Sequence, residues 1–262
     1  MGKEQDLLDY IESFDKERYD KLKNNPDLVI DAIEEFSEVK KTGFMTIGLP
    51  KGELIRKEMQ KASPVIMIEL GCYIGYSAIL FGNELRKING ASSKATVNPK
   101  YYSFEANEEY AKIARKLIDL AGLSDLVEII LGQAGTTLPD FEQRTNKENG
   151  KYTPVDFVFI DHQKDLYVPD LRILESLNLI YPGTVICADN IYQPGAPEYV
   201  KYVQATPQER QEHNSNNPNP SNPMYPGRWN VIYDSKTVPV TNPKTGFKDA
   251  VEITRCVEYL SG

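Results

Sequence analysis

The sequence predicts an α/β chain whose mostly parallel seven-stranded sheet ends in an antiparallel C-terminal hairpin and is preceded by extra helices. Three observations carry this expectation. Short apolar runs alternate with helical segments from residue 61 onward, two β-like runs flank a turn near the C-terminus, and residues 1–60 show helical spacing instead.

Residues 4–23 carry Leu7, Leu8, Ile11 and Phe14 at helical spacing among charges, which predicts one amphipathic helix. A second helix is expected to start at Asn25-Pro26-Asp27, with Asn25 as cap, Pro26 in the first turn and Asp27 facing the positive end of the dipole. Its buried face would be Val29, Ile33 and Phe36. Isolated short helices are marginal in water, so both are expected to lie against the rest of the chain. Residues 1–262 then read as a single domain, with 1–60 a helical cap and 61–262 the core.

Within that core the runs Val65–Leu70, Tyr101–Phe104, Val127–Leu131, Val155–Ile160 and Thr184–Ala188 are the expected parallel strands. The segments Ser77–Ile88, Asn107–Leu120 and Pro169–Leu177 are expected helices between them, and Pro197–Val203 a short one after them. Residues 205–227 are crowded with Asn, Pro, Ser and Gln and read as a long inserted loop. The runs Trp229–Tyr233 and Ala250–Val257, joined across the turn signals at Asn242-Pro243-Lys244-Thr245-Gly246, would close the sheet as a hairpin.

Composition bounds the function classes. Hydrophobic residues at 40% and charged residues at 26% describe an ordinary globular chain. A net charge of −8, from 38 acidic against 30 basic residues, offers no basic field for phosphate backbones or anionic lipid, which argues against nucleic acid and membrane surfaces. Cys72, Cys187 and Cys256 match no zinc spacing and read as free thiols. Met1–Asp20 is dense in charge and lacks a signal peptide's apolar stretch, and no run approaches a membrane span. The expectation is a soluble cytoplasmic protein.

Two groups of residues point to chemistry. The first is Glu69-Leu70-Gly71-Cys72-Tyr73-Ile74-Gly75-Tyr76-Ser77, at the turn from the first strand into a helix, where open parallel sheets bind ligands. Glycine there permits a tight turn and close backbone approach, although the same residue serves purely structural turns. Glu105, at the end of the second strand, can accept both hydroxyls of a ribose; its plainer reading is an acid at a helix N-terminus. Gly71 and Gly75 do not make the Gly-x-Gly-x-x-Gly dinucleotide fingerprint, which disfavours a pyrophosphate cradle. Glu69 sits badly beside phosphate but well beside a cationic, amino-acid-bearing cofactor such as S-adenosylmethionine.

The second group is Asp161-His162-Gln163-Lys164 after one strand and Asp189-Asn190 after the next. Acids at the carboxyl ends of adjacent strands converge above the sheet. Two carboxylates and an amide are hard oxygen donors suited to Mg²⁺ and unlike a zinc site. Helix caps or surface acids are the plainer reading of the aspartates, and a solvated surface lysine that of Lys164. If a metal is bound, Lys164 is placed to act as a base.

At these residues the chain resembles the catechol O-methyltransferase family. The segments that carry the resemblance are Ile68–Ala78, Phe157–Asp170, Gly183–Asn190 and Pro194–Pro197, with Met45–Gly52 upstream, and it covers roughly residues 42–204. It implies the Rossmann-like S-adenosylmethionine-dependent methyltransferase fold and Mg²⁺-dependent methyl transfer to a catechol hydroxyl. It further implies Asp161, Asp189 and Asn190 as metal ligands, with Asn190 also near the substrate hydroxyl, and Lys164 as general base. Glu105 would hold the cofactor ribose. Ile47, Glu69, Gly71, Tyr73 and Ser77 would surround its methionine portion, Ala106, Ala134 and His162 would border its adenine, and Asp161 would also be among the cofactor's contacts. Met45 and Pro194 would wall the catechol pocket.

The chain departs from the family pattern at Gln163 and Gly43, where the family commonly has aromatic residues. It also departs near Val238, where mammalian members carry a substrate-binding glutamate; Glu252 matches a different one. The 205–227 insertion and long hairpin resemble microbial or fungal members. Competing readings are a related O-methyltransferase for caffeoyl-type or other vicinal dihydroxy aromatics, a nicotinamide-dependent oxidoreductase, and a non-catalytic binding module. The Gly71/Gly75 spacing argues against the oxidoreductase, and the joint presence of Asp161, Lys164, Asp189 and Asn190 against the module.

Overall fold

The structure, a computed structural model, describes residues 2–90, 98–149 and 154–261. The run expected to form one helix over 4–23 makes two, α1 (Lys3–Glu12) and α2 (Lys16–Leu22). The break has a local cause, since the Asp15 carboxylate accepts the Arg18 N–H and so starts a new helix. Asn25 does the same for α3 (Pro26–Lys40), accepting from Leu28 N with Pro26 in the first turn, as expected. A further helix, α4 (Gly48–Ala62), had no counterpart in the sequence reading and leads into the sheet.

Alternation of strand and helix then proceeds through β1 (Ile66–Leu70), α5 (Tyr76–Gly90), β2 (Lys100–Glu105), α6 (Glu108–Leu120), β3 (Val127–Leu131), α7 (Ala134–Asn149), β4 (Phe157–Ile160), α8 (Tyr167–Ser176) and β5 (Val185–Ala188). After α9 (Pro197–Gln204) and α10 (Pro207–Asn216), the hairpin of β6 (Val231–Thr241) and β7 (Lys248–Tyr259) ends the chain. The sheet has seven strands in the order β3-β2-β1-β4-β5-β7-β6. β1 to β5 pair in parallel, whereas β7 runs antiparallel to both β5 and β6. Strand order reverses between β2-β1 and β4-β5, so the crevice at the carboxyl ends of β1 and β4 is where a ligand is expected.

Side chains alternate across the sheet and divide the interior in two. Met67, Phe157, Phe159 and Cys187 pack with α1, α3, α4, α5 and α6, which buries the N-terminal helices on one face. Ile66, Ile68, Leu70, Val158 and Ile160 pack with α7, α8 and α9 on the other. No helix among the described residues is long and apolar enough to cross a membrane.

The segment expected to be a long loop at 205–227 contains the helix α10 instead. Thr206 and Glu209 form a capping box: the Thr206 side chain accepts the Glu209 N–H, and the Glu209 carboxylate accepts the Thr206 N–H at 2.8 Å. Two polar side chains then tie the segment down. Buried Arg172 donates to the carbonyls of Pro226 and Asn217, and buried Asn219 to those of Pro169 and Tyr225. Thr206→Ala removes the cap, and a loss of about 1 kcal/mol in unfolding free energy is expected from denaturant titration.

Candidate active site

The turn after β1 and the turn after β4 touch at Gly71. Its φ of +100° is open to glycine, and a Cβ there would lie 2.7 Å from the Asp161 carbonyl oxygen and 2.9 Å from His162 Cα. This close approach brings the residues expected around a cofactor beside those expected around a metal. Members of both groups line one cavity of about 990 Å³, which also takes in Ala106, Ala134 and residues of the hairpin.

At the first end, Glu105 terminates β2 and accepts the Tyr73 N–H at 2.7 Å and the Asn107 N–H at 2.8 Å, one on each oxygen. A carboxylate has about four acceptor positions, so two remain for paired hydroxyls. Tyr73 adopts φ +50°, unusual for a bulky side chain, and its hydroxyl donates to Glu4 of α1 at 2.6 Å. Ile47, Gly71, Tyr73, Ala106, Ala134 and His162 all line the cavity. Glu69 and Ser77 do not; both are buried beneath it.

Glu69 accepts from Ser103 Oγ at 2.5 Å through one oxygen, while its other oxygen has no partner. Burial pushes its carboxyl up to about 7. The folded protein therefore holds a proton on Glu69 over a range in which the unfolded chain, near 4.3, has released it. Fewer protons on the unfolded state mean that stability falls as pH rises through that window. Glu69→Gln is expected to flatten the decline in urea midpoint between about pH 5 and pH 7 relative to the unaltered protein.

At the second end, β4 and β5 are in register with Ile160 opposite Ala188, which sets Asp161 and Asp189 side by side at the strand ends. Asn190 follows in the left-handed region at φ +60°, a conformation asparagine tolerates better than most residues. Lys164, in a single tight turn before α8, donates to Tyr167 Oη at 2.6 Å, Asn190 Oδ1 at 2.8 Å and Asp161 Oδ1 at 3.1 Å. Met45 and Pro194 line the cavity beside them, and Met45 is two-thirds exposed at 66%. His162 donates through Nε2 to Asp170 Oδ2, 2.9 Å away, and stacks on Tyr167.

The electrostatics of this end concern the fit of a cation. Burial, and then the Asp189 charge, push the Asp161 carboxyl up to about 8 against the pull of Lys164. Burial likewise raises Asp189, in spite of Lys51. One oxygen of Asp189 is buried with no hydrogen-bond partner. Crowded, desolvated carboxylates with a bare oxygen are an arrangement that a cation relieves. Among the described residues no three His, Cys, Asp or Glu side chains cluster as a metal cage. The candidate set is two carboxylates and one amide, and Mg²⁺ is commonly held by one or two carboxylates with water completing its shell. Asp161, Asp189 and Asn190 fit such an ion.

Sequence reasoning missed Lys51 and Asp249. Lys51 of α4 donates to Asp189 and to Asp249 of β7, each at 2.8 Å. Burial opposes the charge on Lys51, but the two carboxylates outweigh it and hold its ammonium above the usual lysine range. Neither residue has a local signal, because a lone lysine on a polar helix and an aspartate at a strand start look solvated. Part of the cavity wall was also unforeseen: Val240, Asn242, Thr245 and Phe247 of the hairpin line it, as do Glu34 and Ser37 of α3. Val238, half-buried, packs against the core, and Glu252 is buried among Gln204, Ser235 and Thr237 and does not line the cavity.

Comparison with known proteins bears on this geometry. A family described as O-methyltransferase matches residues 23–215. The chain is 33% identical over 180 residues to the catechol O-methyltransferase of Bos taurus, covering 69% of this chain and 60% of that protein. It is 31% identical to the catechol O-methyltransferase of Mus musculus, covering 78% and 69%, and 34% identical to a probable O-methyltransferase of Mycobacterium tuberculosis, covering 69% and 72%. Thus the match spans less than two thirds of the bovine relative's length. Among solved structures, the O-methyltransferase from Bacillus cereus in complex with SAH superposes with a TM-score of 0.57 at 21% identity, covering 87% of this chain and 90% of that one. The O-methyltransferase TomG from Streptomyces achromogenes in complex with SAM does so with a TM-score of 0.58 at 21% identity, covering 87% and 89%.

Proposed function

The chain belongs to the O-methyltransferase family, and on that premise we propose that its cavity transfers the methyl group of S-adenosylmethionine to one hydroxyl of a catechol with the help of Mg²⁺. The observation that carries this reading is the single cavity lined by Gly71 and Glu105 at one end and by Asp161, Lys164, Asp189 and Asn190 at the other.

Glu105 would hold the ribose through its two remaining acceptor positions, with Ala106, Ala134 and His162 bordering the adenine. Glu69, buried with a bare oxygen, would lie behind the cationic cofactor's amino-acid end, whose charge would favour the ionised form of its carboxyl, with Ile47, Tyr73 and Ser77 nearby. Asp161, Asp189 and Asn190 would hold the metal, and the catechol would lie between Met45 and Pro194 with Lys164 below its hydroxyl. A bound divalent cation favours the ionised form of a phenol and fixes its orientation.

Lys164 supplies the base. In this role Lys164 Nζ would take the proton that a phenolic hydroxyl gives up. The resulting ammonium is held by Asp161, Tyr167 and Asn190, the three oxygens already within hydrogen-bond reach. S-adenosylmethionine, when bound, would supply the methyl group: its carbon–sulfur bond would break as the phenolate oxygen bonds to the methyl carbon, leaving a neutral thioether. Positioning the two reactants beside each other supplies much of the acceleration.

A panel of catechol, its monomethyl ether and phenol, each incubated with S-adenosylmethionine and Mg²⁺ and analysed by mass spectrometry, tests the reading. Catechol alone is expected to gain one CH₂. Equal conversion of phenol would remove the requirement for a vicinal diol. A second reading, methyl transfer to bulkier dihydroxy aromatics of the caffeoyl type, is favoured by one observation: a Cβ at Gly43 would meet nothing within 4 Å at the cavity wall. Faster turnover of caffeic esters than of catechol in the same assay would select it.

A further inference from the structure

Three carboxylates, Asp161 and the buried Asp189 and Asp249, line the metal end of the cavity, and their hydrogen bonding separates them. Asp161 accepts from Lys164 alone among the described side chains. Asp189 is 1% exposed, with one oxygen held by Lys51 and the other bare. Asp249 is 2% exposed and is saturated. One of its oxygens accepts the N–H groups of Tyr192 at 3.1 Å, Gln193 at 3.2 Å and Ala250 at 2.8 Å. The other accepts Lys51 Nζ at 2.8 Å and Asn190 Nδ2 at 3.2 Å.

A carboxylate offers about four acceptor positions, and five donors leave none for a metal. We propose that Asp249 and Lys51 form a positioning clamp for the metal site: they touch neither metal nor substrate but orient the two ligands supplied by Asp189 and Asn190. The inference rests on the metal site proposed above.

The clamp acts at three points. Lys51 occupies one oxygen of Asp189 and so leaves the other, bare oxygen as the sole donor that residue can offer. Asp249 takes the amide nitrogen of Asn190, which fixes which way the amide is turned and directs its carbonyl oxygen toward the site, where Lys164 already meets it. The same carboxylate gathers the Tyr192 and Gln193 N–H groups, so the backbone just after Asn190 is pinned in the left-handed geometry that Asn190 requires. Asp249 comes from β7 and Lys51 from α4, so the clamp also ties the hairpin and the cavity's helical wall to the end of β5. Partners that orient metal ligands from behind commonly change metal affinity by about 10–100-fold.

The test measures Mn²⁺ affinity by electron paramagnetic resonance and S-adenosylhomocysteine affinity by calorimetry, in the full chain and in the variants Asp249→Asn, Lys51→Met and the two combined. Asp249→Asn is expected to weaken Mn²⁺ binding about tenfold or more and to leave S-adenosylhomocysteine binding within about twofold. Lys51→Met is expected to do the same. The double variant restores charge balance without restoring orientation, so it too is expected to bind Mn²⁺ weakly. If it binds Mn²⁺ as the unaltered chain does, charge balance is the sole role of the pair and the clamp is refuted. A folded Asp249→Asn protein with unchanged Mn²⁺ affinity refutes it as well, and where that variant does not fold, Lys51→Met decides on the same criterion. Absence of Mn²⁺ binding in the unaltered chain overturns the metal site itself, and the clamp with it.

Discussion

Replacing Lys164 with methionine is expected to lower kcat by about 10²–10⁴-fold while S-adenosylmethionine affinity changes by less than about twofold. The split follows from position. Lys164 Nζ reaches Asp161, Tyr167 and Asn190 at the metal end, whereas Glu105 and the Gly71 turn are carried by other strands. Methionine keeps the length of the aliphatic stem and removes the group that takes the phenolic proton. Arginine is not expected to rescue, because a guanidinium stays protonated and cannot accept a proton at neutral pH. Single-turnover kinetics beside calorimetric cofactor binding checks both halves. An equal loss in cofactor affinity would mean that Lys164 holds the site together instead of serving the proton transfer.

The second large effect is expected at Asp189. Asp189→Asn preserves shape but removes the charge on a cavity-lining residue with one buried, bare oxygen, and activity should fall by at least about 10²-fold. Truncation to alanine would confuse the result, since breaking a buried ion pair costs about 3–5 kcal/mol and Lys51 would lose one of its two carboxylate partners. The unaltered protein should melt at a higher temperature with Mg²⁺ than without, by mass action on the folded state. Asp189→Asn should abolish that difference. A variant still stabilised by Mg²⁺ would show that the ion binds elsewhere.

Much of this site could be read from residue order because its parts are local. Asp161 and Asp189 each end an apolar run, and strand ends on a parallel sheet share one edge, so their convergence follows from pattern alone. Gly71 and Glu105 were legible for the same reason. The clamp was not, since Lys51 and Asp189 are 138 positions apart and Lys51 and Asp249 are 198 apart. Their pairing depends on where α4 and β7 lie, which no short motif encodes.

The helices show the same division. Asn25-Pro26-Asp27 announced α3 through its own cap chemistry, and Thr206-Pro207-Gln208-Glu209 carried an equally local capping-box signature. The polar composition of 205–227 obscured it, because α10 has almost no apolar face and is held by buried Arg210, whose guanidinium donates to the carbonyls of Ala205, Tyr202 and Trp229. Likewise the Asp15 cap that divides α1 from α2 lies within a continuous amphipathic pattern, so periodicity merged what capping separates.

The most direct test of a metal-assisted methyl transfer is the yield of methylated dihydroxybenzoic acid from S-adenosylmethionine, followed by mass spectrometry as Mg²⁺ is titrated into protein stripped with EDTA. Product that rises from background and saturates with Mg²⁺ is the predicted result. Product formed at full rate in EDTA, or none at any Mg²⁺ concentration by folded protein that binds the cofactor, would contradict it.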